Sequence, residues 1–430
     1  MKYFSLNHNS KNTLFHDAVK RGLAPDRGLY FPESIPQLPK SFFDEIQKMS
    51  IPEMAYKVIK PYVGNQILKN KLIEIVSETL DFEFPIVEIT DNIAALELFQ
   101  GPTLAFKDVG ARFMARSLGY FNSESNEKIT VLVATSGDTG GAVANGFLGV
   151  KGVDVVILYP KGKVSEIQEK QLTTLGQNIT ALEVEGVFDD CQEMVKTAFL
   201  DTGLSNINLT SANSINVARW LPQMFYYFIA YRSLKHKNKK LVFSVPSGNF
   251  GNICAGLMAQ QMGLPIDHFI ASTNVNDSVP RYLESGTYDP LPTIPTLSNA
   301  MDVGNPSNFI RIQKIFNNDV VKMKKKLSGY RYTDQETKKA LKEIHDINGY
   351  IADPHGAVGY LGLKDYLAER KNSHYGVFLE TAHPVKFLDT VNKTLKIEVT
   401  IPERLKETLS KDKVSIPIRD YNDLKSYLLD

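Results

Sequence analysis

The amino-acid sequence predicts an α/β fold with two parallel-sheet domains and a mixed N-terminal region. Three observations lead to this prediction. At 430 residues, the chain is longer than one hydrophobic core usually serves, so more than one domain is expected. From Ile129 onwards, short β-branched runs alternate with segments of helical spacing. The same alternation begins again near Lys240, which indicates a second sheet.

The opening part of the chain, residues 1–92, has no such alternation. Turn chemistry is present in "GLAPDRGLYFP", and helical spacing is present in "SFFDEIQKMS" and "LKNKLIEIVSETL". We therefore predict a separate N-terminal region over these residues.

The first alternating run predicts a smaller α/β domain over residues 93–213. "ITVLVA" is a strand, "TSGDTGG" a turn and "AVANGFLGV" a helix. "VDVVILYP" and "ITALEVEG" are further strands, followed by the helical segments "KVSEIQEKQLTTLG" and "FDDCQEMVKTAFL". Strands that alternate with helices indicate a parallel sheet covered on both faces.

The second run predicts a larger α/β domain over residues 214–430. It contains the strand "KLVFSVP", the turn "SGNFGN" and the helix "ICAGLMAQQMG", followed by the strands "HFIAST" and "YGVFLE". The proline-rich stretch 287–309 interrupts the pattern and predicts a lid-like insertion. An amphipathic segment, residues 421–429, predicts a docked surface helix.

Composition excludes several classes of protein. The 49 basic and 48 acidic residues nearly cancel, so no nucleic-acid partner is expected. The most apolar stretch, "FYYFIAY", is too short to cross a bilayer, and the opening residues carry no apolar run typical of a secretory signal. Two cysteines are too few for a disulfide framework. We expect a soluble cytoplasmic protein.

Two strand-to-helix turns have the composition of anion-binding sites. In "SVPSGNFGN", small residues let the backbone approach an anion, and the helix N-terminus offers free N–H groups to a phosphate. The residues concerned are Gly248, Asn249, Phe250, Gly251 and Asn252. A tight turn that needs glycine for packing is the alternative. The motif is neither a P-loop nor G-x-G-x-x-G.

The second turn, "TSGDTG" at 135–140, has hydroxyl and N–H groups that suit a carboxylate. The alternative is a helix N-cap, with Asp138 or Thr139 accepting from the N–H groups of the next helix.

Lys107 stands in "GPTLAFKDVG", directly before a helical pattern. A solvated lysine beside Asp108, which the helix dipole favours, is one interpretation. The other is an amine in a partly apolar pocket, which loses affinity for its proton and becomes a nucleophile for carbonyls. One such amine and two anion sites suggest pyridoxal phosphate joined to lysine, with substrates that carry an α-carboxylate.

Eight stretches together resemble the threonine synthase family, in its bacterial and fungal branch with an extended N-terminal region. They are "GPTLAFKDVGARFMA", "ATSGDTG", "LYPKGKVS", "SANSIN", "SVPSGNFGN", "TNVNDSVPR", "LSNAMDVGNPSNF" and "TAHPVKF". The resemblance covers nearly the whole chain. It implies the fold of the tryptophan synthase β chain, with two α/β domains that enclose pyridoxal 5′-phosphate.

The resemblance also implies roles for single residues. Lys107 corresponds to the lysine that is joined to the cofactor, and the loop 248–252 to the one that binds the cofactor phosphate. Thr381 corresponds to the hydroxyl residue that contacts the pyridine nitrogen. From the residues alone, an N-cap ahead of Pro384 is the alternative for Thr381.

Asp138 departs from the wider superfamily, in which many members carry asparagine as a donor to the phenolic oxygen of the cofactor. An ionised aspartate cannot donate a hydrogen bond. Two alternatives follow for this cofactor-site residue: it is protonated, or it turns away and caps the helix.

The substrate implied by the family is O-phospho-L-homoserine. We assign its carboxylate to Thr135, Ser136, Gly137 and Thr139. We assign its phosphate to Asn213, Ser214 and Arg219, with Lys163 a weaker candidate. The alternatives are a surface salt bridge for Arg219 and a solvated loop charge for Lys163.

The resemblance predicts conversion of O-phosphohomoserine and water to threonine and phosphate, with Lys107 as the catalytic base. One alternative is a phospho-lyase that releases 2-oxobutyrate, ammonia and phosphate. The other is a catalytically silent binding module, against which the intact Lys107 and "SGNFGN" argue. No metal is expected, because no two histidines have metal-ligand spacing. His355 and His383 are interpreted as structural. The choice between a monomer and a weak homo-oligomer stays open.

Overall fold

The computed structural model describes residues 1–123, 127–368, 370 and 373–430. It shows two mainly parallel sheets covered by helices and a small N-terminal sheet, so the predicted α/β class is confirmed. Strands and helices are numbered separately in chain order. None of the helices within these residues is long and apolar enough to cross a membrane.

The N-terminal region contains a three-stranded antiparallel sheet and four helices. The strands lie in the order β2 (Thr13–Leu14), β1 (Lys2–Ser5), β3 (Tyr30–Pro32). The helices are α1 (Phe15–Arg21), α2 (Lys40–Glu45), α3 (Ile51–Val63) and α4 (Lys69–Thr79). Helix α3 begins where the Ser50 hydroxyl accepts from the N–H of Glu53, and it ends at Gly64, whose φ is 67°.

The larger sheet has six strands. Their order is β12 (Leu327–Arg331), β11 (His268–Thr273), β10 (Lys240–Pro246), β13 (His374–Glu380), β5 (Ile93–Glu97), β4 (Ile86–Thr90). All neighbours are parallel except β4 and β5. Strand β13 is buried along its whole length, in keeping with the apolar run at its centre, residues 375–379.

The smaller sheet has five strands, all parallel. Their order is β14 (Ile416–Ile418), β8 (Ile179–Val184), β7 (Val153–Pro160), β6 (Ile129–Ala134), β9 (Asn208–Ser211). All six residues of β6 are buried, as its unbroken β-branched run predicts.

Fifteen further helices lie within the described residues. Those up to residue 261 are α5 (Lys107–Asn122), α6 (Asp138–Phe147), α7 (Glu166–Thr173), α8 (Phe188–Leu200), α9 (Val217–Trp220), α10 (Met224–Leu234) and α11 (Gly251–Gln261). The others are α12 (Ser278–Ser285), α13 (Phe309–Ile315), α14 (Val320–Lys324), α15 (Asp334–Asn348), α16 (Pro354–Ala368), α17 (Leu388–Leu395), α18 (Glu403–Ser410) and α19 (Tyr421–Leu429).

The two sheets do not divide the chain at residues 92/93 and 213/214. Strand β5 follows the first predicted boundary but pairs with β13 in the larger sheet. Strand β14 comes from the C-terminal part and pairs with β8 in the smaller sheet. Pairing partners far apart in sequence decide these assignments, and local patterns do not carry that information.

The C-terminal helix is confirmed as a docked surface helix. Only Leu424 of α19 is fully covered, and Lys425 forms an ion pair with Asp201 at 2.7 Å. The hydroxyl of Tyr421 donates to the same carboxylate. This contact ties the end of the chain to the smaller sheet.

Candidate active site

A cavity of about 560 Å³ lies where the carboxyl ends of the parallel strands of both sheets meet. Ala134 and Pro160 end strands β6 and β7 of the smaller sheet, while Pro246 ends β10 of the larger one. Thr381 follows β13 directly. Ligand sites in open α/β sheets occupy this kind of position.

Lys107 is placed in the cavity by a short backbone pairing between the segments that follow β5 and β13 of the larger sheet. The N–H of Phe106 donates to the carbonyl of Thr381 at 2.9 Å, and the N–H of His383 donates to the carbonyl of Leu104 at 3.1 Å. Leu104 adopts a left-handed conformation with φ 59°, which turns the chain into helix α5. Lys107 is the first residue of that helix and therefore lies beside Thr381.

The amine of Lys107 has an unusual electrostatic environment. Burial lowers the pKa of Lys107 to about 8; Asp138 opposes this shift, while Arg219 and Lys386 add to it. Within the described chain, its Nζ has no hydrogen-bond or ion-pair partner. Its side chain is half-buried in the cavity wall, and an amine with a lowered pKa suits a nucleophile or base, so the structure favours this interpretation over a solvated lysine. The catalytic role of Lys107 stays a prediction.

Asp108 does not serve the helix dipole at the surface. It is buried, and its carboxylate accepts from the hydroxyl of Thr103 at 2.5 Å and from the N–H of Thr103 at 2.9 Å. Asp108 therefore fixes the turn that precedes Lys107, a role that its sequence neighbours do not reveal.

The loop 248–252 presents a row of free backbone donors to the cavity. All five residues line the cavity, and no N–H group among them donates to an acceptor in the described chain. Phe250, not a glycine, takes the left-handed conformation, with φ 60°, and helix α11 begins at the next residue. Such a row of free N–H groups at a helix N-terminus suits a phosphate, and this role of the loop stays a prediction.

The turn 135–140 forms a second cradle, in which Thr135 has a structural part. The hydroxyl of Thr135 accepts from the N–H groups of Gly137 and Gly140 at 3.0 and 2.8 Å. Ser136 and Thr139 also line the cavity, and their hydroxyl and N–H groups have no acceptor within the described residues. Gly137 does not reach the cavity wall, because the side chain of Gln168 lies against its α-carbon.

Of the two alternatives predicted for Asp138, the protonated form is wrong, while the other is found in part: the side chain turns away from the cavity without capping the helix. It is buried, forms an ion pair with Lys386 at 2.8 Å and accepts from the amide of Gln168 at 3.0 Å. Burial alone would raise the pKa of Asp138, but Lys386 and Lys107 bring it well below its usual value. It is therefore ionised, does not cap α6 and does not line the cavity.

Arg219 is a buried cation without an anionic partner. Its guanidinium lines the cavity and donates to the carbonyl of Ala212, while its Nε has no partner. Burial lowers the pKa of Arg219 to about 10. No carboxylate of the described chain forms an ion pair with it, so the prediction of a surface salt bridge is wrong. A buried arginine of this kind suits an anionic ligand.

Asn213 and Ser214 line the cavity together with Arg219, and Ser214 is held by two residues that sequence reasoning missed. The amide of Asn308 donates to the hydroxyl of Ser214 at 3.1 Å. Arg311 is fully buried and donates to the carbonyl of Ser214 at 3.3 Å. The sequence feature that could have indicated Arg311 is an arginine within the largely apolar stretch "NFIRIQKIF".

Two further predicted site residues differ in exposure. Lys163 is exposed at the mouth of the cavity, and its amine has no ion-pair partner in the described part of the chain. Thr381 is buried and lines the cavity. Its hydroxyl forms no hydrogen bond with any residue within the described ranges.

The two histidines near the cavity have structural partners, as the sequence predicts. Nδ1 of His355 lies 2.5 Å from the carboxylate of Asp353, and its Nε2 accepts from the N–H of Ala300 at 3.2 Å. Nδ1 of His383 accepts from the N–H of Val385. No three metal-binding side chains of the described residues are grouped to share a metal ion.

The proline-rich segment 287–309 forms one wall of the cavity. A 3₁₀ turn, Asn299–Met301, is its only regular element before α13 within the described chain. Asp302 anchors it by accepting from the hydroxyl of Thr296 at 2.7 Å and the amide of Asn274 at 2.8 Å. Burial raises the pKa of Asp302 to about 6. Movement of this segment as a lid stays a prediction.

Comparisons with known proteins bear on what this cavity does. A family model described as pyridoxal-phosphate dependent enzyme matches residues 89–379. Models described as threonine synthase N terminus and threonine synthase, C-terminal match residues 2–80 and 356–427. The threonine synthase of Haemophilus influenzae is 45% identical over 100% of both chains. The chain belongs to the threonine synthase family.

Solved structures of this family agree with that assignment. The crystal structure of threonine synthase from Escherichia coli is 41% identical, covers 100% of this chain and 99% of its own, and superposes with a TM-score of 0.93. The yeast threonine synthase gives 34% identity, a TM-score of 0.92 and coverage of 100% and 98%. The predicted family and the predicted pyridoxal-phosphate-dependent enzyme class are confirmed.

Proposed function

We propose that this protein converts O-phospho-L-homoserine and water to L-threonine and phosphate, with pyridoxal phosphate as cofactor. One observation carries the proposal: a lysine amine with a lowered pKa shares a cavity with two rows of backbone N–H groups and a buried arginine, none of which has an anionic partner among the described residues. The substrate has an amine, a carboxylate and a phosphate, and the cofactor adds a second phosphate. Family membership supports the same reaction.

The cavity residues fit this cofactor. We propose that Lys107 joins it covalently, that the N–H row of 248–252 binds its phosphate, and that the free hydroxyl of Thr381 contacts its ring nitrogen. Asp138 is not part of this contact set, because it lies behind the wall, paired with Lys386. When bound, pyridoxal phosphate supplies an electron sink for negative charge that develops on the carbon atoms of the substrate.

The packing around the phosphate loop leads to a prediction about Gly248. A β-carbon there would lie 2.8 Å from the carbonyl oxygen of Ala300 and 2.8 Å from the α-carbon of Met301. Overpacking of this kind costs roughly 1 to 3 kcal/mol, so we expect Gly248→Ala to weaken cofactor retention about tenfold. Dialysis followed by measurement of the bound cofactor checks this.

Gly251→Ala is the matched variant for this experiment. Its β-carbon would lie 3.3 Å from the amide nitrogen of Asn308 and 3.5 Å from the β-carbon of Ser214, so a smaller loss is expected. Equal retention in wild type and Gly248→Ala would show that the contact with 300–301 does not shape the loop.

For the substrate, we propose that Ser136 and Thr139 bind the carboxylate together with the free N–H groups of their turn. Arg219 binds the phosphate from inside the cavity, with Asn213 and Ser214 beside it. Lys163 adds a positive charge at the mouth. All of these side chains line the same cavity as Lys107.

Lys107 is the residue that moves protons. Its pKa of about 8 leaves part of the population uncharged at neutral pH, so its Nζ can take a proton from the substrate Cα. We propose that Nζ passes this proton to the departing phosphate before it takes the second proton, from Cβ, which it then returns at Cγ. The added water supplies the hydroxyl at Cβ and a proton at Cα, so the exchange balances. Arg219 stabilises the charge that grows on the departing phosphate.

Product analysis tests the proposed function. We expect the protein with its cofactor to release threonine and phosphate from O-phosphohomoserine in equal amounts. Formation of 2-oxobutyrate and ammonia in place of threonine would assign the protein as a phospho-lyase. A bound cofactor without any turnover would assign it as a binding module.

The location of the enzyme and its partners are proposed from more general observations than the reaction is. We propose a cytoplasmic enzyme that acts on a small-molecule substrate, with no nucleic-acid or membrane partner, and that is a monomer or a weak homo-oligomer. The near balance of 49 basic and 48 acidic residues supports the absence of a polyanionic partner.

A further inference from the structure

A buried ion pair outside the cavity wall has no part in the proposed reaction. The side chain of Lys386 is 0% exposed and that of Asp138 4% exposed, and their Nζ and Oδ1 atoms are 2.8 Å apart. The amide nitrogen of Gln168 donates to the same Oδ1 at 3.0 Å. Apolar side chains of similar size would fill this space at lower desolvation cost, so packing alone does not account for the pair.

The charges around the amine of Lys107 come from several elements. Among the described residues, Asp138 on α6 favours its protonated form, while Arg219 on α9 and Lys386 after β13 disfavour that form. The other titratable groups nearby are Asp108, Lys163, Asp189, Tyr226, Asp302 and His355. Without Lys386, the carboxylate of Asp138 would lose its ion-pair partner while its charge still acted on Lys107.

We propose that Lys386 is a positioning residue for Lys107, because it holds Asp138 as an anion that does not pair with the Lys107 amine. Within the described chain, Lys107 forms no ion pair with Asp138, although the positive charge of Lys107 lowers the pKa of Asp138. Lys386 disfavours the protonated form of Lys107 in two ways. It forms the ion pair with the carboxylate of Asp138, and its own positive charge disfavours a second positive charge on Lys107. This inference rests on the proposed role of Lys107.

Backbone contacts fix the orientation of the residues around the Asp138–Lys386 ion pair. Oε1 of Gln168 accepts from the N–H of Ser165, so its Nε2 must face Asp138. Lys386 lies in the 3₁₀ turn Pro384–Phe387, where its N–H donates to the carbonyl of His383 at 3.0 Å. Burial lowers the pKa of His383 to about 4, so its ring accepts from the turn without a charge.

The test measures the protonation of Lys107 directly, in the full-length protein freed of cofactor. Acetic anhydride labels only uncharged amines, and the Lys107 peptide is quantified by mass spectrometry across pH. For wild type, the labelling midpoint is expected near pH 8. In Lys386→Met and Lys386→Gln, the midpoint should rise by about one unit, which is a tenfold slower labelling at neutral pH.

Three variants serve as controls. Lys386→Met/Asp138→Asn removes both charges and should return the midpoint towards that of wild type. Lys386→Arg keeps the charge and should stay near wild type. Lys413→Gln removes a lysine whose ion pairs with Glu169 and Glu183 lie at the surface, and should have no effect.

Lys386→Gln distinguishes a positioning role of Lys386 from a purely structural one. Lys386→Gln keeps a donor to Asp138 and most of the side-chain volume, so it remains informative if Lys386→Met fails to fold. An unchanged midpoint in folded Lys386→Gln would overturn the inference. Because labelling needs neither substrate nor turnover, a normal shift with no threonine formed would count against the proposed function alone.

Discussion

Lys107→Ala is expected to lower turnover at least about 10⁴-fold while the fold persists, because both the covalent attachment and the proton transfers depend on its amine. The neighbouring contacts that shape the turn, Thr103 to Asp108 and Phe106 to Thr381, do not involve the side chain of Lys107. Steady-state kinetics with O-phosphohomoserine and a circular dichroism spectrum check both parts. Lys151→Ala, at an exposed lysine, is the control. Substantial turnover in Lys107→Ala would exclude the proposed mechanism.

In the cofactor-free protein, the amine of Lys107 should lower the free energy of unfolding. The pKa of Lys107 is about 8 when folded and 10.5 in the reference state, so the unfolded chain binds more protons between these values. Stability therefore rises as pH increases from 8 to 10.5, and the full penalty applies below pH 8. Lys107→Met should remove a penalty of roughly 1 to 3 kcal/mol at neutral pH and flatten this slope. Denaturant unfolding measures both, and lower stability of Lys107→Met across the range would contradict the expectation.

Arg219→Ala is expected to weaken both the binding of O-phosphohomoserine and its turnover, by roughly 2 to 5 kcal/mol in kcat/KM. The guanidinium is buried in the cavity without a carboxylate partner in the described chain, so a substrate phosphate would be its main counter-ion. Arg219→Lys should recover only part of the loss, because a point charge lacks the planar fork. Kinetics of the two variants give these values.

The controls separate substrate binding from cofactor binding. The visible absorbance of the bound cofactor should stay unchanged in Arg219→Ala, since the phosphate loop 248–252 is a separate element. Arg419→Ala, which removes an exposed arginine, should keep normal kinetics. An unchanged kcat/KM in Arg219→Ala would leave the substrate phosphate without its proposed partner.

The sequence by itself determined the features that depend on neighbouring residues. Short apolar runs that contain β-branched residues, followed by glycine-rich turns and helical spacing, indicated β6 and β10 with their helices, because buried parallel strands need apolar side chains on both faces. The position of Lys107 before a helix and the composition of the loop 248–252 were also readable. These properties are local, since propensity and turn chemistry act over a few residues.

Only the tertiary structure decided the features that depend on distant partners. The pairing of β5 with β13, and of β14 with β8, joins segments far apart in the chain. The charge state of Asp138 depends on Lys386, which is 248 positions away. Whether Arg219 lies at the surface or in a cavity depends on which elements cover it, and the lowered pKa of Lys107 depends on that same burial. Burial and charge pairing are properties of the packed molecule, and no single segment of the sequence contains them.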